Sequence, residues 1–477
     1  MVALALVPVL LGVFLGGCAS NPATGGTDFV LMSEAQELAL GRKLNGQVLE
    51  QYGRYGDEAL QAYVQAVGER LARNSDRPRL VYRFTVVDSA IVNAFALPGG
   101  YIYITRGLMA YLNSEAQLAG VLGHELGHVN ARHSVRQYSQ HALIGLLGAV
   151  AASAAGVPGG GDLIQVLGTV IERGYGRRME LEADRLGARY LARSGYPPGA
   201  MIEVIEVLKA QEEFEKRLAR EEGREPHSYH GLFATHPDND KRLQEVVRAG
   251  EKLEAPTAVR DEGRERFLWH LDGLVYGDSA RQGIRRGDRF YHAELNFALQ
   301  FPEGWVIENR DDRLVGRTRD GVAHIQMLVE DLNLRWAPRE YLARHLKLKG
   351  LHRGRTFRVN GLDGYTALVP GGRVAVIFMQ QRAYIFIATV MQRKGMLADY
   401  DDRFLKTILS FHRLRPEERR LAEPLRIEIH RVRPDDTIHR LARGSPIPDH
   451  TEARLRLLNG LYPEGEPRPG ALIKIVE

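Results

Sequence analysis

Cysteine is almost missing from this chain: Cys18 is the single one among 477 residues. No intramolecular disulfide can form, and metal centres built on several thiolates are excluded. Clustered positive charge is missing as well. The 64 Lys and Arg and 59 Asp and Glu residues are spread along the sequence without a basic block of the kind that tracks nucleic acid. The formal charge of +5 therefore amounts to weak attraction for anionic surfaces. Low-complexity tracts and long repeats are absent, which removes solenoids and arrays. The two apolar runs, residues 1–17 and 142–161, are too short to span a bilayer comfortably, and the second is broken by Pro158 and glycines. What remains, 44% hydrophobic and 26% charged residues, is a globular composition long enough for about two to four domains.

The run MVALALVPVLLGVFLGG carries no charge and ends in small residues immediately before Cys18, the layout of a processing segment. LGGC resembles a bacterial lipoprotein box, although no Lys or Arg precedes the apolar run. That resemblance implies a signal peptide over 1–17, lipid on Cys18, and a lipid-anchored, flexible tether over 18–32. Ala19, standing where Asp would retain a lipoprotein in the inner membrane, implies attachment to the outer membrane.

From Ser33 to Arg73 the pattern is helical, with Ser33 as N-cap ahead of Glu34 and Glu37. RLVYRFTVVDS and GGYIYITRG alternate as strands do, with NAFALPGG between them, which predicts a small antiparallel sheet. Residues 107–140 return to helix. The apolar stretch 142–161 reads as a buried or surface-lining helical hairpin, and helices follow over about 162–194, 199–222 and 238–251. A Pro-rich and charged stretch at 253–266 separates this region from an α+β module over 265–414 that carries no catalytic cluster. A second charged linker, 415–424, leads to a strand-helix-helix-strand module over 425–477. The fold class is α+β, with a mainly helical first domain over 33–252.

Chemistry concentrates in GVLGHELGHVNARH, residues 120–133. Residues four apart on a helix stack on one face, so His124 and His128 can hold one ion between their imidazoles. Glu125 is turned about 100° away, which suits it to approach a metal-activated water as a general base. His133, five residues beyond His128, falls off that face and reads as structural. Gly127 leaves room for another backbone to approach. A site of two histidines needs a third donor, and RRMELEADRLGARYLA offers Glu180, Glu182 and Asp184. Glu180 and Asp184 share a helix face, so Glu180 is the expected third ligand and Asp184 the acceptor that orients a histidine. Glu182 lies on the opposite side and reads as a solvated carboxylate. Two imidazoles and one carboxylate suit a single Zn2+ with an open fourth position.

NAFALPGGYIYITRGLM, HELGH and ELEAD occur in an order and spacing that resembles the zinc metalloendopeptidase family of BepA, HtpX and the CAAX prenyl protease, over roughly residues 30–250. The resemblance implies a zincin-type (gluzincin) peptidase domain in which His124, His128 and Glu180 bind zinc and Glu125 is the base. It further implies that Asn93, Ala94, Phe95 and Ala96 lie in an edge-strand region where an extended substrate adds as a strand. LFATHPDNDKRL is similar to a His-Pro loop of the soluble members, which makes His236 a candidate fourth ligand or switch. A helix entry at the same residues is the plainer reading. The oxyanion-stabilising residue stays open among Arg177, Arg178, His227, Tyr229 and His230. The terminal stretch resembles a degenerate LysM domain, with Asp435, Asp436 and Thr437 at its Gly-Asp-Thr turn. That likeness implies peptidoglycan binding, and a stabilising cap is the competing reading.

Taken together, the expected function is a zinc-dependent endopeptidase of the bacterial cell envelope, periplasmic and lipid-anchored, acting on misfolded or misassembled envelope proteins. A chaperone-like or peptidoglycan-associated binding lipoprotein with a latent zinc site is the alternative. A glycan-cleaving enzyme is disfavoured, because no acidic pair outside the zinc motifs stands out.

Overall fold

The structure is a computed structural model that describes residues 18–140, 142, 175–221, 262–310, 313–332, 336–391 and 396–477. The expected hairpin at 142–161 beyond its first residue, the helix at 238–251 and the histidine of the His-Pro loop lie outside these residues. No described helix is long and apolar enough to cross a membrane. The chain forms two compact units, one of residues 1–276 with 426–477 and one of 277–425.

The first unit opens with a hairpin, β1 (Cys18–Ser20) against β2 (Thr27–Phe29), where a flexible tether is expected. Asn21 closes its turn by accepting from the Ala23 and Thr24 amides and donating to Asp28. The predicted helical stretch is two helices, α1 (Glu34–Tyr52) and α2 (Glu58–Arg73). Ser33 caps α1 as expected, with Gln36 completing the reciprocal box. Gly53 at positive φ ends α1, and Asp57 caps α2.

A three-stranded sheet follows, in the order β3 (Arg83–Val87), β5 (Tyr101–Thr105), β4 (Ala94–Leu97). It is mixed, which corrects the expected antiparallel sheet. NAFALPGG contributes a strand of its own: β4 and β5 form a hairpin, and β3 runs parallel to β5 on the side away from β4. The outer edge of β3 is closed by glutamine side chains from α2. Gln61 bonds both the amide and the carbonyl of Val86, and Gln65 bonds the Phe84 amide and the Tyr82 carbonyl. Two amides, together with an antiparallel backbone bridge from Arg54 to Val87, thus stand in for a neighbouring strand. β4, paired with β5 alone among the described residues, keeps the other edge.

From β5 the chain enters α3 (Arg106–Tyr111), capped by Thr105, and then α4 (Glu115–Asn130), capped by Ser114. Every residue of α4 is buried. α5 (Arg177–Arg193) and α6 (Ala200–Glu221) pack against it. The predicted single helix over 107–140 is therefore broken twice, at 112–114 and again at 131–132, beyond which residues 133–140 are helical.

The C-terminal residues belong to this same unit. α7 (Arg264–His270) leads to β6 (Val275–Tyr276), which joins a sheet in the order β8 (Leu472–Val476), β7 (Leu425–Arg431), β6. Between β7 and β8 lie α8 (Ile438–Gly444) and α9 (Thr451–Leu458), giving the strand-helix-helix-strand order expected. Lys474 of β8 is fully buried, and its Nζ donates to the carbonyls of Ala110 and Leu112 at the end of α3.

The second unit is α+β. Its seven-stranded antiparallel sheet carries residues 306–309, 314–317, 323–331, 382–390, 372–379, 362–369 and 352–359 in spatial order. A four-stranded sheet and the helix Asp401–Ser410 close a core that contains Phe290, Phe297, Phe386, Phe404 and Phe411.

Candidate metal centre

The site is built where α4 crosses α5. A methyl group on Gly127 would stand 2.8 Å from the Ala183 carbonyl oxygen and 3.0 Å from its Cα, and one on Gly187 would stand 3.0 Å from the His124 amide nitrogen. The two backbones therefore touch directly, as Gly127 led one to expect, and the side chains beside the contact are forced together.

Those side chains are His124 and His128 from α4 and Glu180 from α5. Their donor atoms all lie within 4.8 Å of one another, the one such group of three among the described residues. The two Nε2 atoms are 3.0 Å apart, and the Glu180 carboxylate oxygens stand 3.5 Å from His124 Nε2 and 3.6 Å from His128 Nε2. Ligands bound at about 2.0–2.1 Å on a tetrahedron are separated by about 3.3 Å, a value these three distances bracket. His124 Nδ1 lies 2.8 Å from Asp184 Oδ1. An ionised carboxylate only accepts, so the His124 proton sits on Nδ1 and Nε2 presents its lone pair. The donors present thus fit a tetrahedral cation of the zinc type. Glu125 is buried on the same helix, one residue from His124.

His133 stays outside the three-donor group, as its spacing led one to expect, but its surroundings differ from that reading, and the reading of Glu182 needs correction. His133 is fully buried, and its Nδ1 lies 2.8 Å from His128 Nδ1. Helical spacing fails here because α4 ends before it. Arg132 adopts a left-handed conformation, φ 54°, held by its bonds to Glu37 and the Met32 carbonyl, and this turns His133 back toward the site. Glu182 is not a solvated carboxylate. It is 17% exposed at the side chain and faces His133 Nε2 at 3.3 Å and Arg136 Nη1 at 3.0 Å. Burial raises the Glu182 carboxyl, but His133 and Arg136 outweigh it and hold the group at about 2. Burial pushes the His133 imidazole below its usual value. Tyr175, which no spacing argument singled out, stacks on His128 with ring centroids 4.1 Å apart and shares a 2.6 Å hydrogen bond with Ser134.

The remaining candidates are scattered. Ala94, Phe95 and Ala96 lie in β4 at the sheet edge, and Asn93 precedes them; its side-chain oxygen has no hydrogen-bond partner among the described residues. Arg177 and Arg178 begin α5 and are exposed. His227, Tyr229, His230 and His236 lie outside the described residues. Asp436 receives the Arg433 amide and faces His430, while Thr437 caps α8, so this turn spends its side chains internally.

Residues 58–249 match the sequence profile of Peptidase family M48. Among curated proteins, the chain is 31% identical over 249 residues to the beta-barrel assembly-enhancing protease of Yersinia pestis, covering 50% of this chain and 49% of that one. It is 28% identical over 233 residues to the Escherichia coli (strain K12) protein of the same name, covering 46% and 45%. The mitochondrial metalloendopeptidase OMA1 of Arabidopsis thaliana is 31% identical over 191 residues, covering 40% and 36%. The chain spans about half the length of the first two relatives.

Proposed function

We propose that this chain, whose residues 58–249 match Peptidase family M48, is a zinc-dependent endopeptidase of the bacterial cell envelope, with His124, His128 and Glu180 as metal ligands. The observation that carries the reading is the convergence of three buried donors at 3.0, 3.5 and 3.6 Å, with His124 held in the ligating tautomer by Asp184.

Zinc, when bound, supplies a Lewis acid that acidifies water and polarises a substrate carbonyl. Glu125 takes the proton of the attacking water as the new carbon–oxygen bond forms, then delivers it to the leaving amine nitrogen as the peptide bond breaks. Asp184 keeps the His124 ring in one orientation. The β4 edge, residues 94–97 with Asn93 before it, receives the substrate in extended form, its backbone pairing where no described strand does. Gln61 and Gln65 close the opposite edge, so strand addition is directed to one side.

The substrates we assign are misfolded or misassembled envelope proteins, and the two bacterial relatives, named for enhancing beta-barrel assembly, support placing β-barrel proteins among them. Lipid on Cys18 would tether the enzyme to the outer membrane from the periplasmic side. His236 is assigned as a gate at the open ligand position. For residues 425–477 the burial of Lys474 against α3 favours a cap on the peptidase helices over peptidoglycan binding.

The test is cleavage of unfolded casein by the zinc-loaded chain and by Glu125→Gln. The reading requires cleavage by the first and retention of zinc without cleavage by the second. A wild type that holds zinc and cleaves nothing, with His236→Ala equally inert, would favour the chaperone-like alternative.

A further inference from the structure

Resting on the metal-site reading above, we propose that His133 is the positioning residue for His128, and that Glu182 together with the hairpin over 18–29 holds it in place. For His128 to ligate through Nε2, its proton must sit on Nδ1. The atom facing Nδ1 is His133 Nδ1, 2.8 Å away, which must then accept. That choice places the His133 proton on Nε2, which lies 3.3 Å from Glu182 Oε2 in a charge contact outside hydrogen-bond geometry. Ligation through Nε2 thus fixes the tautomers of His128 and His133, and the Glu182 carboxylate attracts the resulting Nε2 proton by charge. The two histidine ligands are thus oriented by different means: His124 directly by Asp184, and His128 through an intervening imidazole.

Glu182 is itself fixed from two sides. Arg136 reaches it at 3.0 Å and reaches Asp28 at 3.3 Å. The buried Asn21 side chain donates both to Asp28 at 2.8 Å and to Glu182 Oε1 at 3.3 Å. The hairpin that follows Cys18 therefore ends in a clamp on the carboxylate that orients the imidazole behind a metal ligand. The physical consequence is that ordering of the hairpin and geometry of His128 are coupled.

Zinc affinity of the full chain, measured by competition with a chromogenic chelator, tests this alongside the visible spectrum of the cobalt-loaded protein and unfolding of the metal-free protein. His133→Leu and Glu182→Leu are expected to weaken zinc about 10- to 100-fold and to shift the cobalt ligand-field bands. Asn21→Ala should weaken it less, by about threefold to tenfold. His133→Gln, whose side-chain oxygen can still accept from His128 Nδ1, should recover most of the loss. A merely structural role predicts a lower unfolding temperature with zinc affinity and cobalt bands unchanged. That result in folded Glu182→Leu, whose carboxylate lies at the margin of the core, would overturn the proposal even if His133→Leu fails to fold. The underlying reading fails separately, if the folded wild type binds no zinc at all.

Discussion

Replacing Gly127 by alanine should damage the metal centre without touching a ligand. The added methyl carbon would lie 2.8 Å from the Ala183 oxygen and 3.0 and 3.3 Å from its Cα and carbonyl carbon. Carbon–carbon contacts are most favourable at about 3.5–4.0 Å, so α4 and α5 must separate by roughly 0.5–1 Å. Both partners are helix backbone, and no side chain can rotate away. Overpacking of this kind costs about 1–3 kcal/mol. The separation also carries His124 and His128 away from Glu180. Their present 3.5 and 3.6 Å distances already sit at the long side of a tetrahedral set, and sites tolerate only about 0.2 Å per bond. Zinc affinity should fall about tenfold or more, with a lower unfolding temperature for the metal-free protein. Gly120→Ala is the matched control on the same helix, because its methyl would meet Met201 at an ordinary 3.5 Å. It should bind zinc as the wild type does and gain up to about 1 kcal/mol from helix propensity. If Gly127→Ala and Gly120→Ala bind zinc equally well, close helix contact is not what sets the site.

Lys474→Met keeps the length of the side chain but strands the Ala110 and Leu112 carbonyls in the interior. The expected loss is about 2–4 kcal/mol by denaturant unfolding, and an unchanged or raised midpoint would contradict the capping role. The second unit should weaken in mild acid. Burial, with Arg382 nearby, lowers His292 to about 4, so the folded state resists a proton that the unfolded chain accepts near pH 6.5. Stability is then lost as pH falls from about 6.5 to about 4, by about 3 kcal/mol in total. Hydrogen exchange of strands 289–292 and 297–300 over that range reports it. His292→Asn, which can still accept from the Leu295 amide as His292 Nδ1 does, should flatten the dependence. Asp184→Asn should retain the fold and lose about 10- to 100-fold in zinc affinity, because an amide no longer fixes the His124 tautomer. Chelator competition checks this, and wild-type affinity would remove Asp184 from the site.

The convergence of His124, His128 and Glu180 was legible in the sequence because it depends only on helical period: four-residue spacings on two helices, and a glycine where those helices meet. What was not legible depends on the turn between helices. Five residues separate His133 from His128, and on a continuous helix they diverge. Arg132 breaks the helix with a positive φ that no local signal announces, since arginine has no preference for it. Glu182 was placed opposite Glu180 correctly, but opposite was equated with solvent. The helix beginning at 133 and the hairpin at 18–29 cover that side, and both are distant in sequence. The mixed sheet was missed for a related reason: the apolar NAFALPGG was read as a connection, and a four-residue strand inside it reverses the partner of RLVYRFTVVDS.

Zinc analysis of the purified full chain, combined with X-ray absorption at the metal, tests the central claim most directly. One zinc per chain is expected, bound by two imidazoles and a carboxylate, with occupancy lost in His124→Ala and Glu180→Ala. A folded chain that takes up no zinc, or zinc whose coordination is unchanged in those two variants, would contradict it.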